Sequence, residues 1–582
     1  MRAVPERDQG AALLARRLYI VLGVLVLAAL ALVARAVDLQ LVDHGFLVGQ
    51  GDARSLRDLQ ITAHRGTITD RYGEPLAVST PVDSVAVNPR VFSQSADNLP
   101  RLARVLDRDR EALTRRVTSN LDREFLFLGR HLQPEQASRI RSLGIPGVRL
   151  IREYRRYYPA GEVTGHLLGF TSIDDSGQEG LELAYDHFLT GEHGLKRVVQ
   201  DGYGRVVEVV ESIRAVRPGR DLVLSLDLRI QYLAYRELKR ALLEHRARGG
   251  SLVVIDVETG EVLAIVNQPA FNPNDREQLA AGRYRNRAVT DIFEPGSSIK
   301  PFVLAAALGS GQYNARSTID TSPGAIQVGN KLIEDKHGGV RSNLGAINFA
   351  TVLARSSNVG MTRIALSLEP EQIWTTLDGF GFGQVSASGY PGESAGLLSH
   401  YSHWRRVGIA TLSYGYGLSV TPLQLAHAYA TLGAGGIRRP VTFQRVFDPV
   451  PGERVIDEGV ARDIVHMLES VVTRDGEGTG KRAALTGYRV AGKTGTAWKA
   501  SAGGYSTDRY MSVFAGVVPA SRPRLAAAVV IDEPGGREIY GGEVSAPVFA
   551  NVMAGALRLM AVAPDDLDDV PAAPVLQAEA RR

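Results

Sequence analysis

The sequence predicts an α+β chain with one apolar N-terminal helix, a mixed α/β region, and a C-terminal domain built on an antiparallel sheet flanked by helices. Three observations carry this. Leu18 to Ala34, LYIVLGVLVLAALALVA, is a run of 17 residues without a charge. Residues 251–269, SLVVIDVETGEVLAIVNQP, turn one apolar strand back on another through Glu258, Thr259 and Gly260. Two more strand candidates, YMSVFAGVVPA and RLAAAVVIDEP, follow only near the far end, after helical patterns, an α+β order rather than a strand-helix alternation.

Taken in order, the apolar run reaches about 20 residues if Arg35 snorkels at its far end, the length a bilayer requires. Arg2, Arg7, Arg16 and Arg17 precede it against only Glu6 and Asp8, a bias that keeps the N-terminus in the cytoplasm. Residues 1–17 are therefore expected as a cytoplasmic tail and 18–38 as a transmembrane helix, with the rest outside. A cleaved signal peptide is the competing reading, with small residues at Ala34 and Ala36, but the run is longer than a typical signal core. RAVDLQLVDHGFLVGQGDARSLRD then reads as a helix leaving the membrane, and AHRGTITDRYGEPLAVS as strand, turn, strand around Asp70 to Gly73. Residues 100–145 look helical and arginine-rich, and residues 154–210 look like short strands with glycine turns. AVRPGRDLVLSLD is a linker into a new domain near residue 220, which opens with the helix LRIQYLAYRELKRALLEHRA. The boundaries expected are 39–220 for a non-catalytic domain, 221–562 for the second domain, and 563–582 for a disordered tail, acidic and then rich in Pro and Ala.

Composition excludes several functions. With no cysteine there is no disulfide, thiol nucleophile or cysteine-ligated metal. The net charge of +4 is mild for 582 residues, and no dense basic stripe with interleaved aromatics occurs, so nucleic acid is not an expected partner. Of the 67 Lys plus Arg, only eight are lysines. A lysine at a particular place therefore invites the question of what a guanidinium cannot do there, and one answer is to lose its proton.

Lys300 is such a lysine. In FEPGSSIKP, residues 293–301, Ser297 and Lys300 fall at i and i+3 near the start of a helical pattern, on one face. A helix N-terminus helps hold the amine neutral and favours an oxyanion at the serine. A neutral amine beside a hydroxyl is a nucleophile and base pair without histidine. By itself S-x-x-K is expected by chance about half the time in such a chain. Two further motifs accompany it. Ser356 and Asn358, in ARSSNVGM, can pass a proton and grip a peptide backbone, although SSN is also ordinary cap composition. Lys493, Thr494, Gly495 and Thr496 form an anion-binding edge on an extended segment, with Gly495 letting a chain lie close. K-T-G-T arises by chance well under about once in a hundred such chains and is the specific signal.

The ordered set S-x-x-K, S-x-N and K-T-G-T resembles the active site of penicillin-binding proteins and serine β-lactamases. HRGTITDRYGEPLAVS, RRYYPAGEVTGHLLGFT, NQPAFNPN, SYGYGLSVTPLQLAHAYATLG and GGEVSAPVF extend the similarity to class B penicillin-binding proteins of the FtsI type, the septal peptidoglycan transpeptidases, from the span to about residue 560. The resemblance implies an elongated pedestal or dimerisation-type domain at 39–220 and a penicillin-binding transpeptidase domain at 221–562. It also implies roles. Ser297 attacks the carbonyl between the terminal D-alanines of a peptidoglycan stem peptide, with Lys300 as base. Ser356 relays the proton to the leaving D-alanine, helped by the charge of Lys493, and Asn358 bonds the peptide backbone. Thr494 and Thr496 hold the terminal carboxylate, Gly495 lies between them, and backbone N–H groups of Ser297 and Thr496 form the oxyanion hole. No metal or cofactor is implied. The partners implied are stem peptides, β-lactam antibiotics, the membrane glycan polymerase FtsW and other divisome proteins, and the implied location is the inner membrane at the septum.

Two other readings stay open on sequence alone. A D,D-carboxypeptidase or serine β-lactamase hands the acyl group to water, and a β-lactam-acylated sensor or scaffold makes no cross-link. His400 and His403, with no third ligand nearby in sequence, are expected at the surface or in the core rather than on a metal. GFGFGQ and GYGLSV are expected as turns. Trp374, Trp404 and Trp498 are expected to pack or to line grooves, Trp498 beside the substrate cleft.

Overall fold

The structure is a computed structural model that describes residues 8–567, apart from 201–205, 276, 278–281, 338, 449 and 502–503. The chain divides into two compact units. One comprises residues 1–63, 81–153 and 192–218, and the other residues 64–80, 154–191 and 219–582.

In the first unit, α1 (Asp8–Val37) is a 30-residue helix with its apolar side chains exposed. The stretch long and apolar enough to cross a membrane runs from Ala12 to Val42, so it begins before the expected residue 18 and takes in Arg16 and Arg17. A five-residue π-helical turn, Asp38–Val42, leads into the helix His44–Ser55. Strands Leu56–Ile61, Gly194–Gln200 and Val206–Arg214 form an antiparallel sheet in that order. A separate small core gathers Val85, Phe92, Leu102, Leu113, Leu128 and Ile140. The stretch 100–145, expected to be helical, contains a strand, Leu126–Leu132, between the helices Arg110–Thr118 and Pro134–Leu143. Leu126, Leu128 and Leu132 all fall on alternate positions and are buried. That period of two is a strand signal, and the surrounding arginines conceal it.

In the second unit, two motifs read as strand and turn meet in a buried ionic network. Glu182, fully buried, takes one hydrogen bond from Arg65 Nε at 2.8 Å and another from Arg156 Nε at 2.6 Å. Arg65 also donates to Asp186 Oδ1 at 2.7 Å and to Thr190 Oγ1 at 2.7 Å. Removing one member of such a network leaves uncompensated buried charge at a cost of about 3–5 kcal/mol. The residues between are not short strands as expected: 165–190 contain three helices of four or five residues, Gly165–Leu168, Gly180–Ala184 and Asp186–Thr190. Helices this short carry too few turns to show a helical period.

The main sheet has five strands, β1 (Gly249–Asp256), β2 (Val262–Gln268), β3 (Ala491–Ser501), β4 (Gly504–Val518) and β5 (Leu525–Asp532). Their spatial order is β2-β1-β5-β4-β3 and every neighbouring pair is antiparallel. All eight residues of β1 are buried, because helices cover both faces. The helices that matter are α2 (Leu228–Glu244), α3 (Lys300–Gly309), α4 (Asn358–Leu366), α5 (Pro422–Gly433) and α6 (Gly541–Leu559). α2 and α6 lie on one face, where Phe514 meets Phe549 with ring centroids 4.8 Å apart. α5 lies on the other and carries α3 on it, through an edge-to-face contact of Phe302 with Tyr429 at 5.3 Å. β3 is an edge strand, so one side of its backbone is free for a ligand. After α6 the chain stays anchored: Asp565 accepts hydrogen bonds from Arg489 N at 2.8 Å and from Ser521 Oγ at 2.6 Å. Residues 565 and 566 of the expected tail are therefore held to the fold, and residues 568–582 lie outside the described residues.

Candidate active site

Ser297 stands in a 3-10 turn, Gly296–Ile299, which runs into α3 at Lys300. The sequence places both residues in one α-helical segment; the tighter turn instead makes i and i+3 eclipse, so the two side chains still point the same way. Pro301 occupies the second helical position, where its missing N–H costs nothing. Lys300 is fully buried.

The Ser356 and Asn358 pair comes to Lys300. Lys300 Nζ donates to the Ser356 carbonyl at 2.6 Å and to Asn358 Oδ1 at 2.8 Å, and lies 3.1 Å from Ser356 Oγ. A neutral amine has two N–H donors and one lone pair, and these three contacts match it if the serine hydroxyl donates to the lone pair. Burial drives the Lys300 ammonium well below its ordinary value, and the neighbouring Lys493 pushes it the same way, with Asp335 opposing. No carboxylate hydrogen-bonds Lys300 among the described residues. Ser297 is partly exposed, and among the described residues its hydroxyl makes no hydrogen bond. The lysine is turned toward Ser356 and Asn358 rather than bonded to the serine it is expected to deprotonate.

The K-T-G-T segment forms the opposite wall. On β3, Gly495 faces Pro295 and Ser298, Thr496 Oγ1 meets Gly541 at the start of α6, and Lys493 Nζ donates to Thr494 O and Thr494 Oγ1, each at 3.2 Å. A Cβ on Gly495 would sit 2.6 Å from Pro295 O, and one on Gly296 would sit 3.1 Å from Thr496 O. The strand and the nucleophile turn are therefore in backbone contact, which at position 495 only glycine permits. Trp498 N–H points off the sheet edge to Tyr416 Oη at 3.4 Å. Thr496 N–H, two residues earlier in the strand, points the same way, toward the Ser297 turn. Lys493 is also fully buried, and burial brings its ammonium down to about 7. Thr494 Oγ1 is 2.7 Å from Thr479 Oγ1, and Thr496 Oγ1 accepts from Gly541 N–H at 3.1 Å, leaving its own proton free to donate.

The structure adds groups that no motif singles out. Glu294 Oε1 accepts from Tyr505 Oη at 2.9 Å and from Gly417 N–H at 2.8 Å, and Tyr505 packs edge-on to Tyr416 at 5.2 Å. Together with the half-exposed Trp498 these rings form an aromatic rim along β3. GYGLSV is a turn, as expected, but a Cβ on Gly415 would come 2.0 Å from Gly296 O, so the turn presses on the nucleophile segment. Asp335 accepts hydrogen bonds from Ser357 Oγ and from the N–H groups of Asn358 and Val359. His400 packs on Trp374 at 5.0 Å and on Tyr401 at 4.3 Å, away from the site residues.

Comparison with known proteins decides the family. The family model described as the penicillin binding protein transpeptidase domain matches residues 250–554, and that of the penicillin-binding protein dimerisation domain matches residues 60–224. The peptidoglycan D,D-transpeptidase FtsI of Escherichia coli K12 is 42% identical over 97% of this chain and 95% of its own length. The chain belongs to the class B penicillin-binding proteins.

As a class B penicillin-binding protein it is a serine-type peptidoglycan D,D-transpeptidase, and α1 fits the single membrane-spanning anchor of such an enzyme. The probable peptidoglycan D,D-transpeptidase PenA of Neisseria meningitidis serogroup A is 38% identical over 92% of this chain and 91% of its own length. Among solved structures, the transpeptidase domain of Burkholderia pseudomallei penicillin-binding protein 3 is 40% identical, covers 59% of this chain and 97% of its own, and superposes with a TM-score of 0.54. The apo form of Mycobacterium tuberculosis penicillin-binding protein 3 covers 87% of this chain and 98% of its own at 27% identity, with a TM-score of 0.67.

Proposed function

We propose that Ser297 is the nucleophile and Lys300 its base, and that the chain cross-links stem peptides during septal wall synthesis. The observation that carries the assignment is the environment of Lys300: buried, its ammonium pushed well below its ordinary value by desolvation, and bonded among the described residues only to the Ser356 and Asn358 segment. Lys300 takes the Ser297 proton as Oγ adds to the carbonyl of the terminal D-alanyl-D-alanine bond. The oxyanion lies against the N–H groups of Ser297 and Thr496. As the carbon–nitrogen bond breaks, the proton passes through the Ser356 hydroxyl to the departing D-alanine amine. An acceptor amine on a second stem then attacks the ester and returns a proton to Ser297 by the same route.

Lys493 and the hydroxyls of Thr494 and Thr496 hold the terminal carboxylate, whose charge restores the proton that burial loosens on Lys493. Asn358 bonds the peptide backbone through its amide N–H groups, since its oxygen is engaged by Lys300. β-Lactams acylate the same serine. Solved relatives include Mycobacterium tuberculosis penicillin-binding protein 3 complexed with aztreonam and with ampicillin. The N-terminus lies in the cytoplasm, residues 221–562 form the catalytic domain in the periplasm, and FtsW with other divisome proteins are the partners.

Product analysis tests the cross-linking. Given a stem peptide ending in D-alanyl-D-alanine and a D-amino acid acceptor, the full chain in detergent is expected to release D-alanine and form the aminolysis product. Hydrolysis with no aminolysis at saturating acceptor would instead support a carboxypeptidase or β-lactamase.

A further inference from the structure

An apolar groove of about 1100 Å³ lies between the turn that follows Asp70, helix α2 and the end of α6, and the catalytic chemistry makes no use of it. Tyr72, Val163, Tyr232, Leu233 and Leu559 line it. Tyr72 is 61% exposed, Tyr232 55% and Leu559 37%. The floor is the crossing of α2 and α6, where a Cβ on Gly555 would meet Leu233 Cδ2 at 2.3 Å. The rim is basic. Arg229 is held by Asp227 at 2.7 Å and Arg236 by Glu237 at 3.0 Å, whereas Arg558 bonds Ala554 O at 3.1 Å and has no carboxylate partner among the described residues. Of the two carboxylates on the lining, Asp70 is taken up by the N–H groups of Tyr72, Glu74 and Leu228, and Glu74 is exposed.

The sequence beyond α6 has the chemistry that this groove fits. Asp568 and Asp569 lead into Val570-Pro571-Ala572-Ala573-Pro574-Val575-Leu576. Prolines three apart fall on one face of a polyproline II helix, the form in which such segments dock into grooves lined by aromatic rings. A segment of this composition has too little apolar surface to order by itself and needs a partner surface. The chain also leads back to the groove. Val562 O accepts from Tyr488 Oη at 2.7 Å, and the N–H groups of Asp565 and Asp566 donate to Gly487 O. Burial raises the Tyr488 phenol and the charge of Arg558 opposes it, which places the rim of the groove beside this anchored turn. Leu567 is eight residues past Leu559, hence at most about 28 Å from it, and residues 570–576 extend about 10–30 Å beyond Leu567. They reach the groove.

We propose that residues 570–576 dock in this groove of their own chain, with Pro571 and Pro574 against Tyr72 and Tyr232 and with Asp568 and Asp569 meeting Arg558. The docked segment covers the seam between the Asp70 turn and α2. Its short tether gives it a high effective concentration at the groove, so a weak contact suffices to hold it there.

The chain has no cysteine, so disulfide trapping reads this contact without background. The full chain in detergent carries Ala572→Cys or Ala573→Cys, which point to different sides of a three-residue turn, combined with a cysteine at one of two exposed arginines. Arg236→Cys is at the groove, its parent side chain 60% exposed. Arg522→Cys is the control: its parent side chain is 90% exposed, and it follows Ser521, which donates to Asp565 at 2.6 Å. An undocked tail therefore meets Arg522 at least as often as it meets the groove. With one of the two tail cysteines, the Arg236 pair is expected to close within one chain about tenfold faster than the Arg522 pair, and Pro571→Ser together with Pro574→Ser to remove the difference. Equal rates or faster closure at Arg522 for both tail cysteines, or a preference that survives loss of both prolines, would overturn the proposal. So would a disulfide between two chains, which would assign the groove to a second copy.

Discussion

Ser297→Ala is expected to take up no labelled penicillin, with the acylation rate falling by about 10⁴-fold or more, the loss seen when a serine nucleophile is removed. The fold should not change. Ser297 is partly exposed, its hydroxyl makes no hydrogen bond among the described residues, and truncation of such a side chain stays within about 0.5 kcal/mol. Intact-mass spectra of parent and variant after exposure to penicillin, with thermal unfolding as the control, make the comparison. An adduct of equal yield in the variant would place the nucleophile elsewhere, since no other serine precedes a lysine by three residues.

Lys300→Arg is expected to cut acylation about 1,000-fold, within the range that loss of a general base produces. A guanidinium stays protonated at any working pH, so it cannot take the Ser297 proton however well it fits. It would also be a full charge in a place where, among the described residues, no carboxylate hydrogen-bonds the lysine, which costs stability. Lys300→Met separates the two effects. Methionine is unbranched, uncharged and adaptable, so the folded state should be no less stable than the parent while acylation is as slow as in Lys300→Arg. Stopped-flow acylation of both variants beside their thermal midpoints distinguishes lost chemistry from lost fold.

Much of this site is legible in the chain itself because its parts are local. Ser297 and Lys300 lie within one turn, Lys493 to Thr496 within one strand, and Glu258 to Gly260 within one hairpin. Each pattern is read from a period or a turn. What stays hidden depends on where separate segments meet. Asp335 sits in a stretch of mixed charge, KLIEDKH, and only tertiary packing brings it to Ser357. Glu294, next to a motif, becomes informative only when Gly417 and Tyr505 reach its carboxylate. The strand Leu126–Leu132 is masked by neighbouring arginines, and the helices Gly165–Leu168, Gly180–Ala184 and Asp186–Thr190 are too short to show a period. The chain is anchored past residue 563 by the Asp565 carboxylate, whose partners Arg489 and Ser521 are far off in sequence, and by the N–H groups of Asp565 and Asp566 on Gly487 O.

The pH dependence of acylation by penicillin in the unaltered chain bears most directly on the neutral lysine. The rate follows the fraction of Lys300 without its proton, and because burial lowers that group, deprotonation is complete at lower pH than for a free lysine. Acylation efficiency is therefore expected to rise on the acid side and to level off well below the pH at which a free lysine loses its proton. An efficiency that keeps climbing in step with an ordinary lysine, toward a value near 10.4, would show that Lys300 is charged at neutral pH and is not the base.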